Sequence, residues 1–213
     1  MRGDILIIDD NHRKAAKEVV KIILSEIERP IQKFVISVAG ESGAGKSEIA
    51  ASIAEVLEKK GLKCFIFQQD DYFVYPPKTN AKAREKDISW VGEKEVKLKL
   101  IDEELEQIKK GLTIIKKPLV IFEEDRIDEE TVDLSDVDVF IVEGTYTTAL
   151  KNVDQKVFID RNLNDTKASR LKRNREKQDE YLERILMIEH KIISAHKALA
   201  DIIITKDYNA IKL

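Results

Sequence analysis

Hydrophobic residues in this chain form short unbroken runs, and amphipathic segments separate those runs. The central runs are rich in β-branched and aromatic residues, which is typical of strands buried on both faces of a sheet. They are FVISVA (34–39), KCFIF (63–67), VDVFIVEG (137–144) and KVFID (156–160). Hydrophobic positions at helical spacing predict helices at about 46–60, 93–110 and 180–199. This alternation predicts an α/β fold, with a parallel sheet covered by helices on both faces.

Both ends of the chain carry further predicted elements. The run DILII (4–8) predicts a short strand, and a helical pattern follows from Asp10 to Pro30. The run DIIIT (201–205) predicts the last strand. We therefore divide the chain into an N-terminal strand–helix extension, residues 1–33, and a main domain, residues 34–213. The extension is expected either to lengthen the sheet or to form a dimer contact in a homo-oligomer.

Two segments interrupt the regular alternation. Residues 69–92 are polar and contain Pro76-Pro77, which predicts a long loop. A loop of that length inside a compact domain usually serves a function. Residues 113–134 hold two short apolar runs separated by a polar stretch, which predicts a small β excursion.

Composition narrows the class of protein. The chain has 213 residues, 43% hydrophobic and 36% charged, with a formal net charge of −3, so electrostatics favours neither nucleic acid nor a membrane surface as partner. No apolar run approaches the roughly 20 residues that span a bilayer.

The single cysteine, Cys64, is predicted to be a small core residue in a reducing compartment. The three histidines lack metal-ligand spacing. We expect a cytoplasmic protein with no nucleic-acid or membrane partner.

The strongest chemical signal is GESGAGKS, which follows directly on FVISVA. It matches the pattern G-x-x-x-x-G-K-[ST], whose glycines let backbone N–H groups turn inward around a polyanion at the start of a helix. A strand before it and a helix after it disfavour a chance match. Lys46 is expected to reach the terminal phosphates, and the Ser47 hydroxyl to bind Mg²⁺. The residues predicted to bind ATP, or another nucleoside triphosphate, are Gly40, Glu41, Ser42, Gly43, Ala44, Gly45, Lys46, Ser47 and Glu48.

Acidic residues follow two other predicted strands. Glu143 ends VDVFIVEG, at the sheet edge that carries the glycine-rich loop, so it is predicted to hold Mg²⁺ directly or through water. Asp70 and Asp71 follow KCFIF, where a carboxylate is suited to accept the proton of an alcohol. Asp70 is also counted as a metal ligand. Solvated acids at strand ends and turns are the alternative for all three.

The order of GESGAGKS, QDDYF and VEG resembles the uridine kinase/phosphoribulokinase-like family of P-loop kinases, from about residue 34 to residue 205. The resemblance implies a P-loop NTPase-type sheet and an ATP- and Mg²⁺-dependent transfer of phosphate to an alcohol. It also implies that Asp70 is the base on the substrate hydroxyl, and that Glu143 helps to bind Mg²⁺. Lys46 and Ser47 carry over in their loop roles.

The family also has a lid helix whose arginines close over the phosphates. The resemblance assigns the lid to about 167–180, within the basic run IDRNLNDTKASRLKRNRE. Arg170 and Arg173 are the implied catalytic arginines, and Arg175 is an implied nucleotide contact. A solvated basic helix face is the alternative interpretation of this run.

The chain departs from the family pattern at the acceptor. Uridine kinases have a Tyr-Asp pair and a histidine that contact the base and sugar; the matching positions here hold Val120, Ile121 and Asp125. Uridine is therefore not assured as the substrate. The candidate acceptor contacts are Asp71, Tyr72, Trp90 and Arg126. For the aromatic residues, capping the core under the predicted loop is an equally good interpretation.

Two classes of function remain. The first is an ATP-dependent kinase for a small hydroxyl compound, either a nucleoside or a sugar-type substrate. The second is a nucleotide-binding regulator or switch ATPase, for which the sequence carries no N-K-x-D or D-x-x-G motif. The missing switch motifs favour the kinase.

Overall fold

A computed structural model describes residues 6–27, 33–173 and 179–213, without the side chains of residues 172 and 173. The main sheet has six strands, which are β1 (Phe34–Gly40), β2 (Cys64–Gln68), β5 (Val139–Glu143), β6 (Gln155–Ile159), β7 (Ile202–Ile204) and β8 (Ala210–Lys212). Their order in the sheet is β2-β5-β1-β6-β7-β8. The first five of these pair in parallel, and β8 is antiparallel to β7. The predicted α/β fold with a parallel sheet is confirmed.

Helices cover both faces of this sheet. They are α1 (Asp10–Ile27), α2 (Lys46–Glu58), α3 (Pro77–Lys86), α4 (Leu98–Lys109), α5 (Lys167–Arg173) and α6 (Glu180–His196). Alternate residues of β1 point to opposite faces, so Ile36 packs in one hydrophobic cluster with α1 and α2. Val35 packs in a second cluster with residues of α4 and α6. Each face therefore has its own core.

The N-terminal extension differs from its prediction. Residues 6–8 are not a strand, and residues 4 and 5 lie outside the described residues, so the predicted strand is wrong where it can be compared. Leu6 and Ile7 are exposed, without the neighbours that a strand would need. The predicted helix is present as α1, and it buries Ala15, Val19 and Ile23 against the same core as α2. The extension thus covers a face of the sheet instead of lengthening it.

The segment 69–92 is not a loop. It contains a 3-10 turn (Gln69–Tyr72), then α3, then a second 3-10 turn (Ile88–Trp90). Helix α3 has the polar sequence PKTNAKAREK and buries only Asn80, so it has no hydrophobic periodicity to detect. The following helix, α4, begins at Leu98 instead of Glu93, because a 3-10 turn occupies Glu93–Glu95.

The predicted β excursion is a separate two-stranded sheet. Strands β3 (Ile114–Ile121) and β4 (Arg126–Asp133) form an antiparallel hairpin in which Ile114 pairs with Asp133 and Ile121 with Arg126. The short strand β8 has no counterpart in the prediction, because its three residues carry little hydrophobic signal. In the described part of the chain, no helix combines the length and the apolar character needed to cross a membrane.

Candidate active site

The sequence motifs meet at the carboxyl ends of three neighbouring strands. In the register of the sheet, Glu143 of β5 lies beside Val38 of β1 on one side and beside Gln68 of β2 on the other. The glycine-rich loop leaves β1 two residues after Val38, and Asp70 lies two residues beyond Gln68. Parallel pairing therefore places the loop, Glu143 and Asp70 at one edge, as the sequence predicted.

The glycine-rich loop is held by a left-handed glycine and by hydrogen bonds to one carbonyl. Gly45 has φ +95°, a left-handed conformation that favours glycine, and it directly precedes the first turn of α2. The backbone N–H of Ala44 donates to the Glu41 carbonyl at 3.0 Å. Lys46 Nζ donates to the same carbonyl at 3.1 Å. The lysine ammonium therefore lies over the loop, where a phosphate chain would need a counter-charge.

The two acids have different surroundings. Glu143 is 5% exposed, whereas Asp70 is only partly buried. Burial, together with the neighbouring Asp70 carboxylate, raises the pKa of Glu143 above its usual range. The Lys46 ammonium and a hydrogen bond from Ser47 act in the opposite direction. These effects show that Lys46, Ser47, Asp70 and Glu143 form one electrostatic cluster.

Gly144 explains how Asp70 is held beside Glu143. A Cβ atom on Gly144 would lie 2.2 Å from the Cβ of Gln69, so the two segments touch at a position that only glycine allows. Gln69 Oε1 accepts a hydrogen bond from the Tyr146 backbone N–H at 2.7 Å. The residue before Asp70 is thus fixed to the loop that follows β5.

The donors at this edge fit a magnesium ion that is shared with a nucleotide. Ser47 and Glu143 offer oxygen ligands, which Mg²⁺ prefers, and Mg²⁺ usually takes its other ligands from phosphates and water. Among the residues that the structure describes, no cluster of three or more His, Cys, Asp or Glu side chains could hold a metal by itself. The residues therefore suit a metal that arrives with a triphosphate.

The helix α5, where the predicted lid starts, lies close to the loop. Arg170 of α5 is 8% exposed, and a Cβ on Gly43 would lie 2.8 Å from its Cγ. Its Nη1 donates to the hydroxyl of Thr166. The side chain of Arg173 and the whole of Arg175 lie outside the described residues. Among the described residues, the structure therefore brings the predicted lid arginine Arg170 to the nucleotide loop.

The helix after the lid also contacts the loop, which sequence reasoning missed. His190 Nδ1 of α6 lies 2.6 Å from Oε1 of the buried Glu41. The spacing of the histidines bears only on metal binding, and 149 residues separate His190 from Glu41, so no local pattern signals the pair. Ser42, Ala44 and Glu48 occupy the loop and the first turn of α2, as predicted.

Two of the candidate acceptor contacts hold the 3-10 turn against the core. Asp71 is 2% exposed; its carboxylate lies 3.1 Å from Lys117 Nζ and accepts the Val120 backbone N–H at 3.0 Å. Tyr72 is fully buried and donates its hydroxyl proton to Glu104 at 2.5 Å. Burial, assisted by Glu104, raises the pKa of Tyr72. Both residues are engaged within the protein, and a contact of either with substrate stays a prediction.

The other two candidates lie in different settings. Trp90 is partly buried, donates its indole N–H to Asn80 at 2.9 Å and packs on Tyr75 with ring centroids 5.5 Å apart. Arg126 is exposed at the start of β4 and pairs with Glu124 and Asp128 beside it in the chain. A substrate role for Trp90 and Arg126 also stays a prediction.

A buried ionic network supports the α3 segment. Glu95 is fully buried and accepts two hydrogen bonds from Arg84, at 2.5 Å and 2.9 Å. Arg84 also donates to Glu189 of α6 at 3.3 Å. Such a two-point contact offsets part of the cost of burying the charges. The network connects α3 to α6, next to the lid.

Asp125, at the position that the resemblance to uridine kinases assigns to a histidine, has a structural task here. It lies in the β3–β4 turn with φ +49°, and its carboxylate accepts the backbone N–H groups of Lys78 and Thr79 at 2.6 Å and 3.2 Å. The Thr79 hydroxyl donates to it at 2.7 Å. Desolvation by itself raises the pKa of Asp125, but these hydrogen bonds outweigh it, so the pKa of Asp125 is lowered. Asp125 therefore caps the first turn of α3.

Comparisons with known proteins agree with this geometry. A relative from Mediterraneibacter gnavus, the bifunctional alpha-galactosidase/sucrose kinase AgaSK, is 27% identical over 189 residues, which cover 82% of this chain and 20% of that protein. A uridine kinase of Ureaplasma parvum serovar 3 is 31% identical over 131 residues, covering 60% of this chain and 62% of that enzyme. This chain therefore spans less than two thirds of the length of both relatives.

The fold has a matching solved structure as well. A structure described as a possible uridine kinase from Bacillus stearothermophilus superimposes with a TM-score of 0.62 at 20% identity, covering 90% of this chain and 97% of that one. The sequence model of one family, "Phosphoribulokinase / Uridine kinase family", matches residues 35–205, which include the glycine-rich loop, Asp70, Glu143 and the lid. The chain belongs to the phosphoribulokinase/uridine kinase family.

Proposed function

We propose that this protein is an ATP-dependent kinase that transfers the γ-phosphate to a hydroxyl group of a nucleoside or a sugar-type substrate. The observation that carries the proposal is the cluster of Lys46, Ser47, Asp70 and Glu143 at one sheet edge. Phosphoryl transfer needs a held triphosphate, charge neutralisation and a base for the acceptor, and this cluster supplies all three.

Each residue has a distinct task in the proposed reaction. The loop amides and Lys46 hold the triphosphate and neutralise charge on the phosphate that is transferred. Ser47 and Glu143 would hold Mg²⁺, which would add positive charge to offset that of the phosphates. Asp70 takes the proton of the acceptor hydroxyl as its oxygen attacks the γ-phosphorus, and ADP leaves. Arg170 adds positive charge from the lid side of the loop.

The acceptor is proposed to be of the sugar or nucleoside class because related proteins carry both names. Asp125 favours the sugar type. In the resemblance its position belongs to a histidine that contacts uridine, and here the carboxylate is occupied in capping α3. Buried polar groups that recognise a substrate discriminate strongly, so their absence weakens the case for uridine.

The test is a coupled assay of ADP release with Mg·ATP and a panel of neutral sugars, sugar phosphates and nucleosides. One acceptor should accelerate ATP consumption well above the rate with ATP alone. Asp70→Asn should lower that transfer by about 10²- to 10⁴-fold, because a positioned base is lost, while ATP affinity changes little. Asp136→Asn is the matched control, since Asp136 is an exposed carboxylate that precedes β5 at the opposite sheet edge.

Two results would contradict the proposal. One is phosphate transfer by Asp70→Asn at the wild-type rate, which would show that Asp70 is not the base. The other is ATP turnover that no member of the panel changes, which would favour a switch ATPase instead.

A further inference from the structure

Helix α1 contacts the nucleotide loop directly. His12 is 7% exposed, and a Cβ on Gly45 would lie 2.9 Å from His12 Nε2. The backbone N–H of Asp9 donates to His12 Nδ1 at 3.1 Å, which fixes the orientation of the ring. His12 lies outside residues 35–205, the range that matches the family. The N-terminal extension therefore places a side chain beside the loop, and this side chain lies outside the range that matches the family.

A second residue outside that range contacts His12. Tyr208, in the turn between β7 and β8, packs edge-on against His12 with ring centroids 5.3 Å apart. The Arg161 guanidinium lies 5.2 Å from the centre of the Tyr208 ring and donates to its hydroxyl. Tyr208 has φ +59°, which is an unfavourable conformation for a bulky residue. Strain of this kind persists where the surroundings impose it, and it is concentrated at ligand sites.

The order of strands gives the direction of a bound nucleotide. The phosphate that is transferred must point to Asp70 and Glu143, which lie at the carboxyl ends of β2 and β5 on one side of β1. The base must then leave the loop on the other side of β1, where β6, β7 and β8 lie. Arg161 follows β6, and Tyr208 lies between β7 and β8. The cluster of His12, Tyr208 and Arg161 therefore lies on the side to which the base is directed.

We propose that Tyr208 and Arg161 form the platform on which the base of the nucleotide rests, with His12 as the residue that positions Tyr208. This inference rests on the proposed binding of a nucleoside triphosphate. A flat aromatic ring and a planar guanidinium both stack on bases, and such stacking tolerates different bases. The N-terminal helix is then part of the nucleotide site of this protein.

The experiment compares two ligands that differ by the base and sugar. Calorimetric titrations measure Mg·ATP and Mg·tripolyphosphate binding to the full chain and to Tyr208→Asn, because asparagine tolerates positive φ. The variant should bind Mg·ATP about tenfold more weakly and Mg·tripolyphosphate as the wild type does. Tyr208→Phe, which keeps the ring, is the matched control and should stay within about threefold for ATP. In the kinase assay KM for ATP should rise, with kcat little changed.

His12→Asn tests the positioning role. It should weaken Mg·ATP in the same direction as Tyr208→Asn, and the double variant should be little weaker than Tyr208→Asn alone. Unchanged ATP affinity in Tyr208→Asn, or equal losses for ATP and tripolyphosphate, would overturn the platform. Unchanged ATP affinity in Tyr208→Asn would leave the proposed kinase function standing. If the wild type binds neither ligand, the proposed function and this inference both fail.

Discussion

Replacing Gly144 by alanine tests whether the contact between two strand ends holds the candidate base in place. The new Cβ would lie 2.2 Å from Gln69 Cβ, more than 1 Å inside the usual carbon–carbon distance of about 3.5–4.0 Å. Gly144 does not have positive φ, so alanine adds a clash without backbone strain. Overpacking costs about 1–3 kcal/mol. Displacement of Gln69 would also leave the buried Tyr146 N–H without its acceptor, at about 1–3 kcal/mol.

The expected loss is therefore about 2–6 kcal/mol in the free energy of unfolding, measured by urea denaturation. Because Asp70 follows Gln69, phosphate transfer should fall even at temperatures where the variant is folded. Gly61→Ala is the matched control: nothing lies within 4 Å of its Cβ position, and φ is +85°, so it should lose only about 1 kcal/mol. A Gly144→Ala protein as stable as Gly61→Ala would refute the steric argument. Gln69→Gly, which removes the opposing Cβ, should recover part of the loss.

Two further predictions concern buried polar groups. Arg84→Met should lower the free energy of unfolding by about 3–5 kcal/mol, because the fully buried Glu95 loses its partner. The exposed Arg126→Met should change it by less than about 1 kcal/mol, and equal effects in urea denaturation would contradict the argument. Burial, with Glu58 and Asp138 nearby, raises the pKa of Cys64 to about 12. At pH 8 the native thiol should therefore react with a disulfide reagent on the order of 10³-fold more slowly than in urea, and equal rates would contradict its burial.

The parts of the site that lie next to each other in the sequence were predictable. GESGAGKS follows a strand, and its glycines, lysine and serine lie within eight consecutive residues. Asp70 and Glu143 were predictable because each follows a hydrophobic strand, and parallel strands end at one edge. The sequence thus contained the core of both the fold and the candidate site.

What was missed depends on contacts between distant segments. Helix α3 is polar, and its first turn is capped by Asp125 from the hairpin 45 residues or more away, so no local pattern signals it. The contact of His12 with Gly45 and the pair of Glu41 and His190 join separate elements through packing alone. In the same way, Arg84 has the composition of a surface residue, and only the buried Glu95 explains its position.

The cap formed by Asp125 has a consequence for attempts to change the substrate. A histidine introduced at position 125 to bind a pyrimidine would at the same time remove the carboxylate that accepts three hydrogen bonds from the start of α3. Specificity and helix stability would change together in a single substitution. A design that places a histidine at position 125 therefore has to begin with a new N-terminal cap for α3, so that the start of this helix keeps its hydrogen-bond acceptors.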